Sequence, residues 1–180
     1  MNYQTIEEVY AANNAIREKF KQTVSAVPAE KAQIRPSAEQ WSVAQLVEHV
    51  AIVNEGMGKI CAKLLSKAEA DGRTSDGSVK ISATFVEQAN ASVDQKLQAP
   101  EMVRPVDVPS ISEAIERLDA AARFFSELRP KFESVDGTAP GFPHPYFGDL
   151  SAQEWLVLAG GHEARHLAQI RRLAAELDQM

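Results

Sequence analysis

The chain has 180 residues, 44% of them hydrophobic and 24% charged, with a formal net charge of −6. This suits one domain over residues 1–180 with one sizeable core, and the absence of a clustered basic surface argues against a nucleic-acid partner. A single cysteine, Cys61, excludes an intrachain disulfide and a thiolate zinc site. With no secretory leader and no apolar run of membrane-spanning length, a reducing cytoplasm is the expected location, and no membrane partner is expected.

Thr5-Ile6-Glu7-Glu8 forms a capping box. Ile6, Val9, Ile16, Phe20, Val24 and Val27 then recur at helical spacing up to Pro28, which predicts a first helix over about residues 6–26. After a polar connection through Pro36, Ser42 and Gln45 make a second box, with Trp41 and Leu46 as its hydrophobic staple. The second helix should reach about Lys67, its stripe running through Leu46, Val50, Val53, Met57, Ile60 and Leu64, with His49 facing inward among them. Gly56 and Gly58 are unusual inside a helix and leave two readings open, close approach of another backbone or a local kink.

A loop by composition covers residues 71–78, and weaker spacing predicts a helix from Ser82 to about Gln98 through Phe85, Val86, Ala89, Val93 and Leu97. Pro100, Pro105 and Pro109 predict an extended connection. Ser110 and Glu113 open a helix through Ile115, Leu118, Ala122, Phe125 and Leu128, which Pro130 ends or kinks. Residues 134–150 read as a packed, aromatic-rich loop. Ser151 and Glu154 cap the last helix, with Leu150 and Trp155 as staple. Its inner stripe is Trp155, Ala159, His162, His166, Ile170, Leu173 and Leu177. No strand pattern of any length appears. The expected class is all-α: a four-helix bundle with an additional short helix.

Three of the four histidines, His49, His162 and His166, lie on inward faces. His162 and His166 project from one face, separated by about 6 Å of helix rise. A single buried histidine is most often a hydrogen-bonded core residue. For an i, i+4 pair with a third on another helix, a shared divalent metal is the favoured reading. Imidazoles suit zinc, nickel, cobalt or iron(II), and three of them leave positions open for water or substrate.

His162-Glu163-Ala164-Arg165-His166 also spells the H-E-x-x-H zinc-protease signature. Only fourteen residues follow it, too few to supply the downstream ligand convincingly, and no sheet is expected that could bind an extended peptide. The protease reading is therefore rejected. Glu163 is left to support a ligand, to pair with Arg165 or Arg171, or to be solvated.

The Trp41-Ser42 entry with His49, the His144-Pro145-Tyr146-Phe147-Gly148 loop, the Trp155 entry and His162-x-x-x-His166-x-x-Gln169-Ile170 resemble the DinB/YfiT-like superfamily. Pro100-Glu101 through Arg104-Pro105 is similar to the link before that family's third main helix, so the resemblance covers nearly the whole chain. It implies an up-down-down-up bundle, a divalent metal (zinc or nickel foremost) on His49, His162 and His166, and a homodimer. Among such proteins are thiol-dependent enzymes, a mycothiol-dependent maleylpyruvate isomerase and bacillithiol S-transferases, in which the metal is thought to bind the cosubstrate's sulfur.

His144 is a weak candidate for a catalytic acid or base at the mouth of the site; packing of the loop between Pro143 and Pro145 is the favoured reading. Cys61 reads as core filler, about 18 Å along the helix from His49. Arg165, Arg171 and Arg172 read as solvated, with Arg165 near enough to meet an anionic substrate. The functional expectation is a metal-dependent enzyme that activates a low-molecular-weight thiol or water. The alternatives are a non-catalytic metal-binding or stress-response protein, and a bundle whose histidines are only hydrogen-bonded core.

Overall fold

A computed structural model describes residues 3–93, 95, 97–105 and 110–179. Four long helices carry the fold: α1 (Ile6–Ser25), α3 (Val43–Ala70), α5 (Ile111–Ser134) and α6 (Ala152–Leu177). Between them lie two short helices, α2 (Ala29–Ala32) and α4 (Ala83–Ala91), a 3-10 turn (Glu101–Val103), and a hairpin of β1 (Phe142–His144) and β2 (Gly148–Leu150). All four expected capping boxes form, each Ser or Thr hydroxyl accepting from the backbone three residues on. Four orphan donors at the helix starts are met locally in this way, so the start of each long helix is set by its own sequence.

Contacts between helices give their directions. Asn13 meets Leu156 and Arg17 meets Glu163, so α1 and α6 run parallel. Arg117 reaches Glu48 and Lys131 reaches Glu69, so α3 and α5 run parallel. Asn54 meets Glu163 while Cys61 faces Ala152, which makes α3 and α6 antiparallel. The result is the up-down-down-up bundle.

Its core is divided. One apolar cluster gathers Tyr10, Leu65, Phe85, Phe132 and Trp155, and a second gathers Phe20, Leu46, Leu118 and Ile170. Along α1, α3 and α6 the residues between the clusters include buried polar ones: Asn13 and Arg17, Asn54, and Glu163 with His166. A bundle built only to bury apolar surface would not place charge at its waist.

The structure departs from the sequence-based expectations at five places. The helix expected to reach Gln98 stops at Ala91, and Val93 is 67% exposed. Beyond that end, the Ser92 and Gln95 carbonyls accept from the Arg165 guanidinium, an outlet for backbone groups that competes with further helix. α5 continues through Pro130 to Ser134; the residue is exposed, so its missing N–H costs no buried bond. The connection after α1 contains the one-turn helix α2, led by Pro28. The aromatic loop holds a short antiparallel hairpin where no strand is expected. Three residues are too few for a period-2 pattern to show, and Gly148 turns the chain at φ +68°. Pro100 leads a 3-10 turn instead of an extended run, and Pro109 lies outside the described residues.

The paired glycines behave differently from one another. A Cβ on Gly58 would stand 2.8 Å from the Phe124 ring, whereas one on Gly56 would meet nothing. Neither faces another backbone closely, and α3 runs unbroken through both. Among the described residues no helix is long and apolar enough to cross a membrane.

Candidate metal centre

α3 and α6 cross so that His49 comes to face His162 and His166. The three ring centroids lie 4.5–5.1 Å apart, and one nitrogen from each ring falls within 4.8 Å of the others. Nε2 of His162 and Nε2 of His166 are 3.2 Å apart. Two nitrogens bound at about 2.05 Å in a tetrahedral site would be roughly 3.3 Å apart, so this pair already has the separation an ion requires.

The outer faces of two rings are held by acceptors. His49 Nδ1–H donates to the Val103 carbonyl at 2.7 Å, and His166 Nδ1–H donates to Gln169 Oε1 at 3.0 Å. With the proton on Nδ1, the Nε2 lone pair is the one turned to the cluster. This outer-partner arrangement orients metal-binding imidazoles. Trp41 packs on His49 with ring centroids 5.0 Å apart, closing that side with an apolar wall. His162 has no such support: its Nδ1 is buried and unpartnered.

Burial keeps all three rings neutral. It lowers all three below the ordinary value, and neighbouring imidazoles add to this at His162 and His166, with His166 brought to about 3. With Nδ1 protonated on His49 and His166, their two inward Nε2 lone pairs outnumber the one proton that His162 Nε2 could offer, and three neutral bases so placed fit a divalent cation. A hydrogen-bonded core would need a donor for every buried lone pair. The absence of thiolate or carboxylate in the set fits zinc, nickel, cobalt or iron(II) better than magnesium or calcium.

Glu163 is neither solvated nor paired with Arg165 or Arg171, the alternatives its sequence position left open. It is fully buried, and its Oε1 accepts from Arg17 Nη2 at 2.7 Å, Arg17 Nε at 3.2 Å and Asn54 Nδ2 at 2.6 Å. Burial raises its carboxyl above the ordinary value against the opposing pull of Arg17 and Asn54. Oε2 and Asn54 Oδ1 remain buried and unpartnered. Beside this hub, Gly160 lets α1 approach: a Cβ there would collide with the Asn13 amide, whose Nδ2 donates to the Leu156 carbonyl at 2.9 Å.

None of the remaining sequence candidates belongs to the three-histidine cluster. His144 stands in the hairpin, stacked on Phe147 at 4.6 Å and edge-on to Trp155 at 5.2 Å. Its Nδ1 accepts from the Tyr146 N–H, and burial lowers its pKa to about 4. Arg165 spends its guanidinium on the Ser92 and Gln95 carbonyls, while Arg171 and Arg172 are exposed. Cys61 is buried, and burial pushes its thiol far above the usual range, which suits a core residue.

Sequence reasoning missed Arg17, Asn54, the Val103 carbonyl and the role of Gln169. Arg17 had a signal: Tyr10, Asn13, Arg17, Phe20 and Val24 form the buried stripe of α1, and the expected inner residue Ile16 is only half-buried. A polar residue on an apolar stripe marks a buried partner. Val103 had none, because a carbonyl is common to every residue.

The comparisons with known proteins agree with this architecture. Over 156 residues the chain is 26% identical to the uncharacterized protein YuaE of Bacillus subtilis (strain 168), covering 83% of this chain and 87% of that one. The crystal structure of TT2238, a four-helix bundle protein, superposes with a TM-score of 0.61 at 21% identity, covering 92% of this chain and 98% of that chain. A profile of the DinB superfamily matches residues 12–170, and the chain belongs to that superfamily.

Proposed function

We propose that this chain is a metal-dependent enzyme in which His49, His162 and His166 hold a divalent ion, zinc or nickel, that activates a low-molecular-weight thiol or water. One observation carries the reading: three neutral imidazoles from two helices face one another within 4.8 Å. The ion, when bound, would lower the pKa of a thiol or water and stabilise developing negative charge. The chain's own contribution is orientation. Val103 and Gln169 fix the tautomers of two ligands, and Trp41 keeps water from the back of His49. Three protein ligands leave a tetrahedral ion one open position, the mark of a catalytic site. Thiol chemistry, as opposed to hydrolysis, follows the resemblance to thiol-dependent DinB/YfiT-like enzymes.

A non-catalytic metal-binding or stress-response protein is the second reading: the superfamily match and the three-histidine cluster support metal binding without supporting a particular reaction. Metal analysis of untagged protein tests the part common to both readings: one equivalent is expected, falling sharply in His49→Ala. Titration of the cobalt-substituted protein with small thiols then separates them. A shifted visible spectrum supports thiol activation, and an unchanged spectrum with every thiol removes its basis.

A further inference from the structure

We infer that Glu163 is a positioning residue: gripped by Arg17 from α1 and Asn54 from α3, it fixes the rotation of α6 that turns His162 and His166 toward His49. The inference rests on the metal-site reading above. Glu163 follows His162 directly and precedes His166 by three residues, so within one helical turn its placement and theirs move together. Asn54 lies five residues after His49 on α3. Each of the two ligand-bearing helices therefore carries both a part of the histidine cluster and a part of the hub.

The tolerance of a metal site makes such a device useful. Turning α6 by about 5° sweeps a side-chain tip through roughly 0.5 Å at the helix's outer radius. Ligand distances in a metal site are held to about 0.2 Å. Apolar packing above and below the waist is non-directional and resists such a turn weakly. A carboxylate oxygen held by three N–H groups, all within 3.2 Å, is directional. A wholly buried ion pair is rarely more stabilising than apolar residues of the same volume. Its place beside the first ligand of the pair is what assigns it a role in orientation.

The test compares cobalt(II) affinity, by chelator competition, and the visible spectrum in four proteins. These are the wild type, the double variant Arg17→Met/Glu163→Gln, Asn54→Ser, and the control Lys21→Met/Asp119→Asn at the α1–α5 contact. The double variant removes both charges together, so no lone ion is left buried. A loss of about 10- to 100-fold in affinity with an altered spectrum is expected for the double variant. A smaller loss is expected for Asn54→Ser, and none for the control. A folded double variant with wild-type affinity and spectrum would overturn the inference; if it does not fold, an unchanged Asn54→Ser does so. Absence of cobalt binding by the wild type is a different result, because it removes the metal-site reading itself.

Discussion

On one face of α6, Glu163 meets Arg17 and Asn54; on the next, His162 and His166 meet His49. Both clusters bring polar groups into the bundle's waist, and each must compensate for lost hydration. The first does so with an opposite charge and an amide. The second sets three bases against one another, two of them with Nδ1–H already donating outward. A set of neutral bases with too few protons between them would be completed by a cation, whereas the carboxylate already has its opposite charge in Arg17. The contrast separates an ion pair that ties three helices together from a cluster of bases suited to a ligand.

The largest expected effect breaks the hub. Glu163→Ala leaves Arg17 buried and unpaired, and should cost about 3–5 kcal/mol in urea unfolding of the metal-free protein. Next comes the cation. Saturation with zinc at about 100 times its Kd should stabilise the wild type by about 2.7 kcal/mol and leave His166→Ala unmoved; equal shifts in both would mean binding elsewhere.

The two clusters should also part in their response to pH. The folded histidines bind protons less readily than unfolded ones, His166 at about 3 against an ordinary 6.5. As pH falls below 6.5 the unfolded chain takes up protons that the folded cluster refuses, so the metal-free protein loses stability progressively from there toward pH 3. Glu163, raised by burial, acts in the other direction, since the folded state holds its proton more tightly than the unfolded one. Melting curves of His49→Ala/His166→Ala against wild type should show a flatter decline below pH 6.5; identical slopes would exclude the histidines as its source.

The smallest effects come from two glycines. Gly160→Ala pushes on Asn13 beside the hub and should destabilise by about 1–3 kcal/mol. Gly161→Ala meets open space and should stabilise by about 0.5–1 kcal/mol. A reversal of these two signs in thermal melts would contradict the α1–α6 packing.

Sequence alone determined the four long helices, because their caps and apolar stripes are local patterns: Thr5, Ser42, Ser110 and Ser151 each open a helix where expected. It also determined that His49, His162 and His166 face inward, since periodicity places them on their stripes. The end of α4 and the fate of Pro130 were less legible, being set by Arg165 in one case and by solvent exposure in the other. Tertiary structure alone decided which imidazole nitrogens meet, that Val103 holds the far side of His49, and that Glu163 belongs to Arg17 and Asn54. Helical spacing specifies a direction around one axis. Which groups come into contact depends on the relative rotation and offset of several axes, and that is settled only when the whole bundle packs.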